Sequence, residues 1–352
     1  MRFAIIGMGK TGHVMAAYLK NQGHDILCWD RSKEKVATIN QRGITITGEL
    51  EGTFTVNATT DIRAAIKGRE AIVIMTVANG HKPVAELLSG ALEEGQRIII
   101  LNGNWGAVEF YQVLGEEAEK KNVIISETGG MLFIATLEEI SRCSVLAIKS
   151  SVTLGTIPCH SVHILISELK NVFPQFIAAE NVIETSLNSA NPIMHAPVVF
   201  FNITRIDNQE DYGFYDEGAT KKVFQYISKA DKERVSVAMA MGVKGESCLE
   251  IINSYWIKEY DTLYDAIKNN DSYMKLKGPV TFNNRFITED VPYGIAPIVR
   301  LGEKYGYGGV VLSLVHDYRG LYLCRVIDGR VARIYIKGGV IYGAGPEIVL
   351  EV

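Results

Sequence analysis

Short apolar runs alternate with amphipathic patterns along the first half of the chain. Residues 3–6, 71–77 and 97–101 are almost continuously apolar, as is typical of parallel strands covered on both faces. Apolar residues three and four positions apart predict helices near 83–93 and 107–120. Strands and helices in this alternating order predict a doubly wound α/β domain with a largely parallel sheet.

Shorter patterns complete this predicted domain. Residues 44–47 and 53–56 alternate around two glycines, which predicts a hairpin. Asp61 is placed to cap a short helix that ends at Lys67. Further strands are predicted at residues 122–126, 144–149 and 181–186, with a helix near 160–170.

Past residue 187 the pattern changes to longer helical segments. Apolar spacing predicts helices at residues 217–229, 231–244 and 246–268. We therefore predict two domains, an α/β domain at residues 1–187 and a mainly α-helical domain at residues 188–352.

The chain becomes strand-like again from about residue 306. Residues 321–327 and 330–336 alternate on either side of Asp328-Gly329, which predicts a hairpin. A third strand-like run follows Gly338-Gly339.

The first thirty residues have the order of a dinucleotide-binding βαβ unit. Gly7, Gly9 and Gly12 follow the first apolar run in GxGxxG spacing, and Asp30 ends the second strand. In such a unit the glycines permit a tight turn, a close backbone approach to pyrophosphate and close packing of helix on strand. The helix N-terminus donates N–H groups to the phosphates, and the acid accepts hydrogen bonds from the adenosine ribose. The sequence therefore predicts a dinucleotide cofactor.

Asp30 and Arg31 differ in the cofactor that they favour. The aspartate favours the 2′-hydroxyl of NAD, whereas the arginine either neutralises the 2′-phosphate of NADP, stacks on adenine or lies in solvent. NAD is preferred and NADP is left open. Ligands of such sheets bind beyond the carboxyl ends of the strands, which adds loop residues near 76 and 102. The predicted cofactor-binding residues are Gly7, Met8, Gly9, Lys10, Thr11, Gly12, Asp30, Arg31, Thr76, Val77 and Asn102.

Composition narrows the class of protein further. The 352 residues are 47% hydrophobic and 22% charged, which is typical of a globular protein with two domains. A net charge of −4 gives no support to a nucleic-acid partner. No apolar segment approaches the roughly 18 residues of a membrane span, and no leader is seen, so a cytoplasmic protein is expected. The five scattered cysteines predict reduced thiols and no metal site. Whether the chain forms a homodimer is left open.

Two motifs in the second half carry a family resemblance. Asn191-Pro192-Ile193-Met194-His195 opens the predicted helical domain, and RFITEDVPYG occupies residues 285–294. After a Rossmann domain this combination resembles the octopine/nopaline-type opine dehydrogenases, over residues 1 to about 306. The resemblance implies an NAD(P)H-dependent enzyme that condenses an amino acid with a 2-oxo acid, with both as its small-molecule partners. The strand-like tail departs from that family's pattern, either as a small β-element or as an altered carboxyl end.

The resemblance also implies roles for four residues. His195 matches the family's catalytic histidine, Asp290 the carboxylate that orients it, and Arg285 an anchor for a substrate carboxylate, while Asn191 lies beside the substrate site. The chemistry agrees, because reducing a C=N bond needs a proton relay and an imidazole titrates near neutrality. A carboxylate on its other nitrogen fixes the tautomer, and a planar guanidinium suits a carboxylate.

Two alternative functions are also consistent with the sequence. One is a reductase of a simple 2-oxo acid or ketone, of the ketopantoate or glycerol-3-phosphate reductase class, although such enzymes usually employ a lysine base. The other is a non-catalytic dinucleotide sensor, which would not need the pair of His195 and Asp290. The expected site of catalysis is a cleft between the two domains.

Overall fold

The computed structural model divides the chain into two compact units, Met1–Ser186 and Leu187–Val352. It describes residues 1–306 and, beyond them, the backbone of four strands. We refer to the two as the amino-terminal and carboxy-terminal units.

The amino-terminal unit contains twelve strands in its described sequence, in two sheets. Six helices and part of a seventh, α7, belong to it. The strands are β1 (Arg2–Ile6), β2 (Asp25–Trp29), β3 (Ile44–Gly48), β4 (Gly52–Phe54), β5 (Asn57–Thr59), β6 (Ala71–Ile74), β7 (Arg97–Ile100), β8 (Ile124–Thr128), β9 (Phe133–Glu139), β10 (Arg142–Ile148), β11 (Val152–Ile157) and β12 (Phe176–Ala178). The helices are α1 (Lys10–Asn21), α2 (Lys33–Arg42), α3 (Ile62–Ile66), α4 (His81–Leu88), α5 (Gly106–Lys120), α6 (Val162–Leu169) and α7 (Val182–Leu187).

The larger sheet has eight strands in the order β12-β11-β8-β7-β6-β1-β2-β5. All of its pairs are parallel except β8 with β11. The apolar runs in β1, β6 and β7 are buried, as continuous apolar strands require. The predicted α/β domain is therefore confirmed, and the carboxyl ends of β1, β6 and β7 lie side by side.

A smaller four-stranded sheet has the order β4-β3-β10-β9. Its β3–β4 pair confirms the predicted hairpin, with Ile44 opposite Phe54. Strand β3 also pairs in parallel with β10, so Ile46 lies opposite Cys143 although 97 positions separate them. Strand β9 was not predicted from the sequence.

The strand predicted at residues 181–186 is wrong. Residues 182–187 form the helix α7, because Asn181 Oδ1 accepts hydrogen bonds from the N–H groups of Ile183 and Glu184 and caps its start. Asp61 caps α3 in the same way, as predicted, through the N–H groups of Arg63 and Ala64.

The carboxy-terminal unit is helical through residue 304. Its elements are α8 (Ala190–Phe201), α9 (Ile203–Asp207), α10 (Lys221–Ala240), α11 (Cys248–Trp256), α12 (Leu263–Lys268), α13 (Asp271–Met274), α14 (Arg285–Thr288), a π-helical segment (Asp290–Ile295) and α15 (Ala296–Lys304). The strands β13 (Ser313–Asp317), β14 (Gly320–Ile327), β15 (Arg330–Lys337) and β16 (Val340–Ala344) follow.

Helix boundaries in this unit differ from the prediction in two places. The helices predicted at 217–229 and 231–244 are one helix, α10, because no glycine or proline interrupts it and Thr220 caps its start. The helix predicted at 246–268 is broken, because Ile257 adopts a left-handed conformation at φ +52° and ends α11.

The four strands of the tail form an antiparallel sheet in sequence order. Strands β14 and β15 pair with Ile327 opposite Arg330, which confirms the predicted hairpin, although Asp328-Gly329 itself lies outside the described residues. Gly338-Gly339 also lies outside them. Within the described part of the chain, every helix is too short or too polar to cross a membrane.

Candidate active site

The glycine turn after β1 has the geometry that its spacing predicts. Gly7 has φ +102°, a conformation that favours glycine. A Cβ at Gly12 would lie 2.0 Å from the Gly7 carbonyl oxygen, so only glycine permits this packing. A Cβ at Gly9 would have no atom within 4 Å, which leaves that backbone open to a ligand.

Helix α1 begins directly after this turn. Its N-terminus has no side-chain cap and no acidic residue in the first turn, and Lys10 and Thr11 are its first two residues. The first turn of the helix therefore presents the positive end of its dipole with no carboxylate of its own. These features fit the pyrophosphate of a dinucleotide.

Asp30 at the end of β2 holds the turn in place. Its Oδ2 accepts a hydrogen bond of 2.9 Å from the Met8 N–H, and its Oδ1 accepts one of 2.9 Å from the Ser32 N–H. The Lys35 ammonium lies 3.2 Å from Oδ2. Asp30 therefore joins the glycine turn to the start of α2, while Arg31 beside it is exposed.

His13 provides a second constraint, which the sequence did not reveal. Its Nδ1 donates to the Gly9 carbonyl at 2.8 Å, and its Nε2 accepts the Ser141 N–H at 3.2 Å. Burial lowers the pKa of this imidazole, which favours the neutral ring whose Nε2 can accept. His13 thus ties the turn to the segment between β9 and β10.

The loop after β6 lies beside the glycine turn, and the loop after β7 follows the neighbouring strand. A Cβ on Gly7 would approach Thr76 Cγ2 to 2.9 Å, while Val77 is exposed. Asn102 has φ +59°, and its N–H donates to Thr128 Oγ1 at 2.9 Å. The structure therefore brings the predicted residues Thr76 and Asn102 to one edge of the sheet.

Two buried titratable side chains, both missed in the sequence, support this edge. His81 is fully buried at the start of α4, and burial lowers its pKa to about 4. Glu127 accepts the Ala107 N–H at 2.9 Å and the Thr185 hydroxyl at 2.8 Å, and burial raises its pKa. Because these partners lie 20 and 58 positions from Glu127, no local motif contains them.

The carboxy-terminal unit brings His195 and Asp290 together. His195 Nδ1 lies 2.7 Å from Asp290 Oδ2, and both side chains are buried. Since a carboxylate accepts, the ring donates through Nδ1, and Nε2 is the nitrogen that can take up a proton. Phe286 packs at 4.4 Å from the imidazole and Phe214 at 5.7 Å, between ring centroids, so the pair lies among aromatic rings.

A direct contact between the two sequence motifs creates this pair. His195 lies on α8, and Asp290 begins the π-helical segment. A Cβ at Gly294 would come within 2.2 Å of Pro192 Cγ, so a glycine is needed for that segment to pack on α8. The glycine of VPYG and the proline of NPxxH therefore set the spacing between histidine and aspartate.

Arg285 begins α14, and Asn191 lies on α8, the helix that carries His195. The Arg285 guanidinium lies over the Phe286 ring at 5.1 Å and 3.6 Å from Glu289 Oε2, and its side chain is 41% exposed. Asn191 lies on α8 four positions, about one turn, before His195. The predicted site residues thus form two groups, one in each unit. Among residues 1–306 no cluster of three or more potential metal ligands occurs.

Comparisons with known proteins agree with this description. The model of the NAD/NADP octopine/nopaline dehydrogenase alpha-helical domain matches residues 178–315, and that of ketopantoate reductase PanE/ApbA matches residues 3–153. An opine dehydrogenase of Arthrobacter sp. (strain 1C) is 33% identical over 319 residues, covering 90% of this chain and 89% of that protein. A D-nopaline dehydrogenase of Agrobacterium tumefaciens (strain T37) is 24% identical, covering 75% and 71%.

Solved structures show the same fold. Octopine dehydrogenase in complex with NADH and agmatine matches with a TM-score of 0.69 at 18% identity, covering 87% of this chain and 85% of that one. Yersinopine dehydrogenase with NADP+ bound also matches with a TM-score of 0.69, at 13% identity, covering 87% of each chain. The chain has a Rossmann-like domain followed by a helical domain, and it is 33% identical to an opine dehydrogenase over 90% of its own length. It therefore belongs to the opine dehydrogenase family of NAD(P)-dependent enzymes.

Proposed function

We propose that this chain catalyses the NAD(P)H-dependent reductive condensation of an amino acid with a 2-oxo acid. The observation that carries the proposal is the buried contact between His195 Nδ1 and Asp290 Oδ2. A dinucleotide sensor needs no proton relay, so this pair favours an enzyme. The relatives named as opine and nopaline dehydrogenases support the same reaction class.

The reaction requires several proton transfers at one carbon. The amino group attacks the oxo carbon, the resulting carbinolamine loses water, and the imine is reduced to a secondary amine. The nicotinamide supplies the hydride when it is bound. His195 Nε2 takes the proton released as the amine adds and returns it to the oxyanion, which gives the carbinolamine hydroxyl. A second proton, which the imidazole takes up from solvent, then allows this hydroxyl to leave as water.

Asp290 stabilises the protonated form of His195 during these steps. Its carboxylate lies against Nδ1, so the positive charge that forms on the ring meets a negative charge inside the protein. The aromatic rings of Phe214 and Phe286 exclude water from one side of the pair, which strengthens this interaction. Asp290 acts through His195 and exchanges no proton itself.

We propose that Arg285 binds a substrate carboxylate and that Asn191 lies beside the substrate site. Its planar guanidinium can donate two parallel hydrogen bonds to a carboxylate. The partial exposure of the side chain leaves it accessible to a small molecule. Glu289 is the residue with which a substrate would compete.

Substrate dependence tests the proposed reaction. NADH and NADPH oxidation are measured with pyruvate alone, and with pyruvate plus each of a panel of amino acids. Oxidation that needs both substrates, with the secondary amine identified by mass spectrometry, supports the condensation. Oxidation by the oxo acid alone would show a simple reductase, and binding without turnover would show a sensor.

Location and assembly remain proposals from the sequence. We propose a cytoplasmic location and test for a homodimer. Light scattering on the purified chain measures its mass and shows directly whether it forms a homodimer.

A further inference from the structure

The charge around Asp30 differs from that expected of an NAD-selective site. An acid at the end of the second strand normally binds ribose hydroxyls and repels a 2′-phosphate. Here two backbone N–H groups and the Lys35 ammonium already contact its two oxygens. A carboxylate has about four acceptor positions, so most of this one's capacity is used within the protein.

Lys35 offsets the negative charge of Asp30. The ammonium lies 3.2 Å from Oδ2, and its side chain is 33% exposed while that of Asp30 is 9% exposed. The aspartate is therefore less accessible to solvent than the lysine. Arg31 is exposed next to the pair, so these three side chains together carry one excess positive charge.

The same lysine can contact a ligand without leaving Asp30. An ammonium has three donors, and Asp30 Oδ2 uses one of them. Lys35 lies in the first turn of α2, which Ser32 caps by accepting the Lys35 N–H at 3.3 Å. Lys35 is thus held at its backbone N–H by Ser32 and at its ammonium by Asp30, near the glycine turn that Asp30 supports.

We propose that Lys35 makes the adenosine end of this site accept a 2′-phosphate, so that NADPH binds about as tightly as NADH. Lys35, not Asp30, then sets the ratio of the two affinities. This deepens the proposed function, because it rests on a nicotinamide cofactor at the glycine turn. It concerns binding alone and holds for any reaction that the bound cofactor performs.

Binding titrations without substrate test the proposal. NADH and NADPH are titrated by nucleotide fluorescence against the wild type, Lys35→Met and Lys33→Met. Lys33→Met is the matched control, since Lys33 is an exposed lysine two positions earlier in α2. We expect Lys35→Met to weaken NADPH by about ten- to a hundredfold, the usual effect of losing a charge-assisted contact, and NADH by less than about threefold.

A second pair of probes isolates the phosphate. Adenosine 2′,5′-bisphosphate and 5′-AMP differ only in the 2′-phosphate, and their affinity ratio should change with Lys35→Met and be retained by Lys35→Arg. Thermal melts show whether each variant is folded, and if Lys35→Met is unfolded, the uncharged Lys35→Gln takes its place in the comparison with Lys33→Met.

Three results would overturn the proposal. They are equal weakening of NADH and NADPH by Lys35→Met, an equal change of ratio by Lys33→Met, and wild-type NADPH binding more than about a hundredfold weaker than NADH binding. A failure to form a condensation product, with the expected binding ratios intact, would instead count against the proposed reaction.

Discussion

Asp30 in the amino-terminal unit and Asp290 in the carboxy-terminal unit are both buried, but their partners differ in kind. Asp30 accepts hydrogen bonds from the backbone N–H groups of Met8 and Ser32 and pairs with Lys35. Asp290 contacts the His195 imidazole through Oδ2, and its Oδ1 has no hydrogen-bond partner in the described part of the chain. Asp30 therefore accepts hydrogen bonds from backbone groups, whereas Asp290 contacts an imidazole whose charge can change.

This difference separates structural from chemical roles of the same residue type. Backbone donors are permanent, so the hydrogen bonds that Asp30 accepts from the backbone are the same at every stage of a reaction. The interaction of Asp290 strengthens each time His195 gains a proton. Variants of Asp30 should therefore change stability and binding together, and variants of Asp290 should change turnover.

The largest expected effect is that of removing the imidazole. His195→Ala should lower turnover by roughly 10²–10⁴, the usual contribution of general acid–base catalysis, while the Kd for NADH stays unchanged. Steady-state kinetics and nucleotide fluorescence measure the two quantities. Loss of NADH binding in step with turnover would contradict a role confined to chemistry.

The pairing with Asp290 is tested by the double variant. Asp290→Asn should also lower turnover, because an amide cannot offset the charge of the imidazolium. His195→Ala with Asp290→Asn should be much less impaired than the product of the single effects, since the two residues act as a unit. Multiplicative losses would show that they act separately.

Acid should destabilise the amino-terminal unit through His81. The folded protein lowers its pKa from 6.5 to about 4 by burial, so between these values the unfolded chain binds the extra proton. The free energy of unfolding is therefore unaffected by His81 above about pH 6.5. It falls by up to about 3 kcal/mol as the pH is lowered toward 4. Urea unfolding from pH 4.5 to 7.5 measures it.

A matched pair of variants isolates this contribution. His81→Gln should flatten the pH dependence of the free energy of unfolding. His160→Gln should leave it unchanged, because His160 is exposed. An equally steep dependence in His81→Gln would assign the acid sensitivity to other groups.

Asp30→Ala should affect stability and binding together. It leaves the buried Met8 N–H without its acceptor, which costs about 1–3 kcal/mol of unfolding free energy. NADH and NADPH should both bind more weakly, because the glycine turn loses its support. If Asp30→Ala left the stability unchanged and weakened only NADH binding, Asp30 would act simply as a ribose ligand.

The smallest expected effect is that of Arg285→Lys. Lysine keeps the charge but cannot donate two parallel hydrogen bonds, so the KM for one carboxylate substrate should rise about tenfold. We expect this substrate to be the amino acid, with the KM for the oxo acid and the melting temperature nearly unchanged. A lower melting temperature with equal losses for both substrates would show that Arg285 only pairs with Glu289.

The parts of the site that lie in continuous motifs were predictable from the sequence. Gly7, Gly9 and Gly12 act through backbone geometry that their spacing fixes, and Asp30 follows at the expected strand end. The second role of Asp30, toward Ser32 and Lys35, was not predicted, because it depends on the start of α2.

Other features depend on residues that are far apart in sequence. The contact of Gly294 with Pro192 and the bonds of Glu127 to Thr185 join positions 102 and 58 apart, which periodicity does not detect. Local ambiguity explains the wrong elements: Val182-Ile183 is an apolar pair that suits a strand as well as a helix, and Asn181 decides between them by capping.

The parallel pairing of β3 with β10 also bears on the order in which the chain folds as it is made. Residues 44–48 emerge from the ribosome early, but their partners at 142–145 follow about a hundred residues later, at roughly 5–20 residues per second. The bond between His13 and Ser141 must wait for the same segment. Long-range pairing of this kind slows folding. The glycine turn is therefore translated before the segment that His13 contacts, and we expect a nascent chain to complete its nucleotide site only after residues 141–145 have been synthesised.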